Sequence, residues 1–128
     1  MNIQRKNYDF LGDPVGPYVH SVKHEGVLYL SGLTAFGTSS QTGEIEDQAR
    51  EIFGKIEQIC KSENAGLDSI LKITSFVTDM SRMAQLRDVL LEFCGNALPA
   101  SSLVQVNSLF APDLKIEVEA VVAVDKTA

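Results

Sequence analysis

The chain has 128 residues, 45% hydrophobic and 22% charged, with a formal net charge of −6. That length and composition suit one globular domain over residues 1–128 and exclude bulk disorder and coiled coil. No apolar run nears the roughly 20 residues of a membrane span, and the 11 basic residues never run three together, which argues against general nucleic-acid binding.

Met1 to Phe10 is polar, so neither a secretory signal nor a transit peptide is expected there. Pro14 and Pro17 bracket a loop that cannot be helical. Ser21 to Lys23 and Val27 to Leu33 read as a hairpin, with Gly26 free to take positive φ in the turn between them. The clearest helix follows a polar loop. Ala49, Ile52, Phe53, Ile56, Ile59 and Cys60 recur as one apolar stripe. Its opposite side carries Glu46, Asp47, Arg50, Glu51, Lys55 and Glu57, and Gly66 suits a left-handed cap beyond it.

Ile70 to Asp79 is β-branched and apolar on both faces, a strand pattern. Asp79 or Ser81 then caps a second helix whose stripe is Met83, Leu86, Leu90 and Phe93, with Val89 beside it. Leu103 to Leu109 and Lys115 to Val124 are the last predicted strands, joined by a turn at Ala111-Pro112-Asp113. The fold class is therefore α+β: a sheet of about five strands with two helices, enough to cover one face. Strands apolar on both faces are normally covered on both, so another subunit is expected on the second face.

Metal and cofactor motifs are missing. His20 and His24 stand four apart, but a strand and turn would separate them by ~13 Å, so both are expected as surface or rim histidines rather than zinc ligands. No Cys-x-x-Cys, phosphate loop or Gly-x-Ser-x-Gly elbow occurs. Cys60 and Cys94 fall on apolar stripes and are expected as inert, reduced core residues of a cytoplasmic protein. Glu117 and Glu119 stand out, two carboxylates on one face of an otherwise apolar strand. They are either rim carboxylates partnered by Lys115 or acids held in a subunit-interface cleft.

Three stretches in order carry a resemblance: Gly16-Pro17-Tyr18 leading into Leu28-Tyr29-Leu30-Ser31-Gly32; Ile70 to Met80; and Pro99-Ala100, Val104-Gln105-Val106 and Ile116-Glu117-Val118-Glu119-Ala120. Over residues 16–124 the chain resembles the reactive-intermediate deaminase (Rid, YjgF) family. The resemblance implies a chorismate-mutase-like mixed sheet with two helices on one face. It implies a homotrimer with small-molecule clefts between subunits, no cofactor, and hydrolysis of enamines and imines such as 2-aminoacrylate to 2-keto acids and ammonia. Some relatives are described instead as ribonucleases or translation inhibitors.

Residue by residue, Tyr18 matches the cleft tyrosine, Ser31 and Gly32 the Ser-Gly whose backbone lines the site, and Glu119 the glutamate that activates water. One position departs. The family's Pro-Ala-Arg-Ser is Pro99-Ala100-Ser101-Ser102 here, so the arginine that grips a substrate carboxylate is replaced by Ser101. Leu103 stands where many relatives have Cys or Ala, and Arg87 where many have Asn; Arg87 is either a replacement cation or a solvated helix-face residue. Losing a bidentate charged contact costs about 2–5 kcal/mol. The expected substrate is therefore an imine or enamine other than the usual 2-imino acid. The alternatives are a non-catalytic metabolite sensor and an endoribonuclease, the latter disfavoured by the acidic balance.

Overall fold

The computed structural model describes residues 1–126; the last two residues of the expected domain lie outside the described residues. Its strands are β1 (Gln4–Lys6), β2 (Ser21–His24), β3 (Val27–Leu33), β4 (Ile70–Val77), β5 (Ala100–Gln105) and β6 (Ile116–Ala123). The helices are α1 (Ile45–Ser62) and α2 (Met83–Cys94). The strands form one mixed sheet in the order β1-β2-β3-β6-β4-β5. β1, β2 and β3 make an antiparallel meander. β6 slots antiparallel between β3 and β4, and β5 runs parallel to β4 at the far edge. None of the helices is long and apolar enough to cross a membrane, among the described residues.

The predicted stripe of α1 is buried throughout: Ala49, Ile52, Phe53, Ile56, Ile59 and Cys60 are sealed against the sheet. Burying each large member stabilises by about 1.5–3 kcal/mol, so this face seats the helix. On α2 the most buried positions are Leu86, Val89 and Cys94, while Met83, Leu90 and Phe93 pack at the margin. From β6, Ile116, Val118, Ala120 and Val122 join the same core. The buried Gln48 pins loops to α1: its Nε2 donates to the carbonyls of Gln41 and Asp113 at 2.9 Å, and its Oε1 accepts from Lys115 N at 2.9 Å. The other sheet face is uncovered within the chain. Tyr29 and Val104 are exposed there, beside half-buried Phe76 and Val121.

Several expectations change. β1 is an added edge strand, short and polar, with no pattern to announce it; it is held by pairing to β2. The fifth strand starts at Ala100 and ends at Gln105 rather than running from Leu103 to Leu109. The parallel ladder to β4 decides its span, because β4 ends at Val77 opposite Gln105. After α1 the left-handed residue is Asn64 (φ 59°), while Gly66 is extended. Asn tolerates that region through local side-chain hydrogen bonding. Asp79 caps a single 3-10 turn, Met80–Arg82, accepting from Ser81 N at 2.8 Å, and α2 follows from it. Gly26 does take positive φ (77°) in the β2–β3 turn.

Candidate functional site

β3 carries an irregularity that shapes the site. Leu30 pairs with Ala120 and Leu33 with Val118, so Ser31 and Gly32 together oppose one residue of β6. Such a bulge re-aims backbone and side chains. Ser31 is tied down by its backbone N–H to the His20 carbonyl at 3.0 Å and by its hydroxyl to the Val19 carbonyl at 2.6 Å. A Cβ at Gly32 would fall on the Glu117 carboxylate, so a side chain there would displace that carboxylate from the bulge.

A cavity of about 400 Å³ opens beside this bulge, with Tyr18, His20, Ser31, Gly32, Thr34 and Lys55 in its walls and Phe10, Phe36 and Phe110 around it. Tyr18 sits on the tight turn made by Gly16-Pro17, its backbone N–H reaching the Gly16 carbonyl at 2.9 Å. Phe36 and Phe110 meet edge-on at 5.0 Å between ring centres. All three phenylalanines are exposed.

His20 is buried, not a surface or rim histidine. Its Nδ1 accepts the Tyr8 backbone N–H at 2.9 Å, and the His20 backbone N–H donates to Asn7 Oδ1 at 2.9 Å. Nδ1 as acceptor puts the ring proton on Nε2. Burial lowers the His20 pKa; Asp13 opposes that and Lys55 adds to it. His24 is far less enclosed, its Nδ1 at 3.1 Å from the Asn2 carbonyl oxygen.

Behind His20 lies a buried polar knot. The Tyr8 hydroxyl lies 2.9 Å from Glu63 Oε2 and 2.9 Å from Ser21 Oγ. Glu63 also takes Lys23 at 2.7 Å and Lys6 at 3.2 Å. Burial pushes the Glu63 carboxyl up, but hydrogen bonds from Lys23, Tyr8 and Lys6 outweigh it and hold the group below its ordinary value. Tyr8 thus links Glu63 through its ring oxygen to His20 through its backbone.

The two carboxylates of β6 separate clearly. Glu117 is half-buried against Gly32, whereas Glu119 is exposed. Burial, and then the charge of Glu119, raise the Glu117 pKa. The Glu117 side chain packs on Gly32, while Glu119, the β6 residue opposite the Ser31–Gly32 bulge in the ladder, is exposed on the same face. Strand alternation puts both on the uncovered face, and only the side-chain packing of the bulge distinguishes them.

The remaining predicted residues stay apart from the cavity within one chain. Ser101 pairs with Ile73 and Leu103 with Ser75 on the edge strand β5. Two strands, β6 and β4, lie between β5 and β3, a separation of ~14 Å at the usual interstrand spacing. Arg87 is exposed on α2 and is not among the residues lining the cavity. Conversely, Lys55 and His20 line the cavity although the sequence pattern placed them on a polar helix side and at a rim. The fold is of the mixed-sheet, two-helix class, with a cavity opening beside the β3 bulge.

Comparison with known proteins agrees. Residues 11–124 match the family described as Endoribonuclease L-PSP, and the chain belongs to that family, which is the Rid/YjgF family. A similar relative is the RutC family protein PH0854 of Pyrococcus horikoshii, 30% identical over 84% of this chain and 87% of its own. Another, from Dermatophagoides farinae, is named 2-iminobutanoate/2-iminopropanoate deaminase and is 27% identical over 88% of this chain and 89% of its own. The crystal structure of RidA from the Antarctic bacterium Psychrobacter sp. PAMC 21119 superposes with a TM-score of 0.85 at 27% identity, covering 94% of this chain and 99% of that one.

Proposed function

We propose that the protein hydrolyses an imine or enamine to a carbonyl compound and ammonia. The observation that carries this reading is Glu117: a half-buried carboxyl with a raised pKa, packed on the backbone of the bulge that lines the cavity. A general base works best when its pKa is drawn toward the working pH. Glu117 takes a proton from water as the oxygen attacks the electrophilic imine carbon. The substrate enters as the iminium, an enamine through its imine tautomer, so the attack gives a neutral carbinolamine. Glu117 returns its proton to the nitrogen, the C–N bond breaks to release ammonia, and the hydroxyl proton passes to water as the carbonyl forms. The naming of a similar mite protein as an iminobutanoate/iminopropanoate deaminase supports this chemistry.

The working form in this reading is a homotrimer. The uncovered sheet face, with Tyr29, Val104, Phe76 and Val121, becomes the contact between copies. A neighbour's β5 then brings Ser101 and Leu103 toward a cleft that one chain cannot complete. Two free, buried thiols, Cys60 and Cys94, fit a reducing compartment such as the cytoplasm.

A non-catalytic metabolite binder is the second reading, favoured by the position of Glu117 on the open face rather than among the residues lining the cavity. The net charge of −6 weighs against ribonuclease action on a polyanion. Ammonia release from a panel of imines generated in situ separates the readings. Glu117→Gln should lower turnover by about 10²–10⁴-fold with the assembly intact. No ammonia release above the spontaneous rate on any imine would leave the binder.

A further inference from the structure

Lys55 is a charged cavity residue to which this hydrolysis gives no part. It stands on α1, and its Nζ donates to the Thr34 carbonyl oxygen at 2.7 Å. Among the described residues it forms no ion pair. An ammonium carries three donors, and Thr34 uses one of them. Glu51, one turn earlier on α1, offsets part of the cost of burying this charge but makes no ion pair with it, and burial still outweighs it. An anion entering the cavity would offset the rest.

The rest of the cavity narrows the anion's chemistry. Its volume of about 400 Å³ suits a small organic molecule rather than a simple ion. Phe10 and the edge-on pair Phe36–Phe110 offer aromatic surface at its rim. Asp13 is the lining carboxylate, and it disfavours a ligand of high negative charge. The His20 ring, neutral with its proton on Nε2, adds no second positive charge.

We propose that this cavity binds a monocarboxylate with an aromatic or bulky apolar body, the carboxylate held by the Lys55 ammonium. Lys55 thereby supplies from α1 the charge that the arginine position, here Ser101, does not. The inference rests on the reading of this cavity as the imine cleft, and it names the substrate class as imino acids with large apolar side chains. Burial lowers the Lys55 pKa, and the charge of Glu51 offsets this only in part, so the ammonium gains from a bound anion that favours its charged form.

Calorimetry with 3-phenylpropanoate and its neutral amide tests the assignment without requiring turnover. The wild type should bind the acid about tenfold to a hundredfold more tightly than the amide at pH 7. Lys55→Met should abolish that preference while leaving amide binding unchanged, and Lys55→Arg should keep it. Lys55→Gln, which retains a donor for Thr34, substitutes if Lys55→Met does not fold. Equal affinity for acid and amide, no binding of either, or a preference that survives loss of the cation would overturn the proposal. Ammonia release from the imine of phenylpyruvate, made in situ, separates the two readings. An acid preference lost in Lys55→Met with no hydrolysis by wild type refutes the hydrolase reading alone. Hydrolysis whose KM is untouched by Lys55→Met refutes the Lys55 assignment alone.

Discussion

Glu63→Gln perturbs the polar knot that ties β1 and Tyr8 to the body of the protein. The Glu63 side chain is 5% exposed and its partner Lys23 13%, at 2.7 Å, whereas Lys6 is 51% exposed. The Lys6 contact is therefore screened and worth below about 1 kcal/mol. Removing the carboxylate takes away the charge 2.7 Å from the half-buried Lys23 ammonium and weakens the bond from the Tyr8 hydroxyl. Together these should cost about 2–4 kcal/mol at pH 7. The assay is urea unfolding at fixed protein concentration, because assembly couples to stability. The pH dependence supplies a second check. Glu63 is held below its ordinary value, so its contribution is fully present above the unfolded pKa near ~4.3. It is lost as pH falls through the folded value. The gap between wild type and variant should thus be full at neutral pH and shrink in acid. A gap under about 1 kcal/mol at pH 7, or one that stays constant into acid, would refute the reasoning. Lys6→Ala should reproduce only a small part of the effect.

Glu119→Gln removes the charge that, after burial, holds Glu117 up; the acid limb of kcat/KM should move to lower pH, and a limb that stays or rises contradicts the coupling. Gly32→Ala introduces a Cβ into the space of the Glu117 carboxylate and should depress kcat/KM nearly as far as Glu117→Gln, by about 10²-fold or more; full activity in the folded variant would remove Glu117 from the site. Light scattering should give three times the 14.0 kDa chain mass, and a stable monomer would show that the open face needs no cover.

The helices and most of the sheet were legible in the sequence because their signals are local. The α1 stripe from Ala49 to Cys60 and the alternation of β6 both report burial through period alone, and every position of each that was expected inside is inside or near the core. Where local signal is weak, the sequence says less. β1 is three exposed polar residues that exist as a strand because β2 offers an unpaired edge. β5 is exposed along its whole length, so no alternation marked its ends, and parallel pairing to β4 set them.

The site divides the same way. Tyr18, Ser31 and Gly32 could be singled out from the order of motifs, and they do share one cavity. The distinction between Glu117 and Glu119 could not be read, because two residues with the same side-chain direction differ only in what the β3 bulge places beneath them. Lys55 looked like one more charge on a solvated helix face. It faces the cavity because α1 crosses beside the segment after β3, where the Thr34 carbonyl receives its ammonium. His20 became a buried acceptor through a contact twelve residues away, to the backbone of Tyr8. Periodicity along the chain determines which face of an element is apolar; what a polar side chain meets across space is decided by packing between elements distant in sequence.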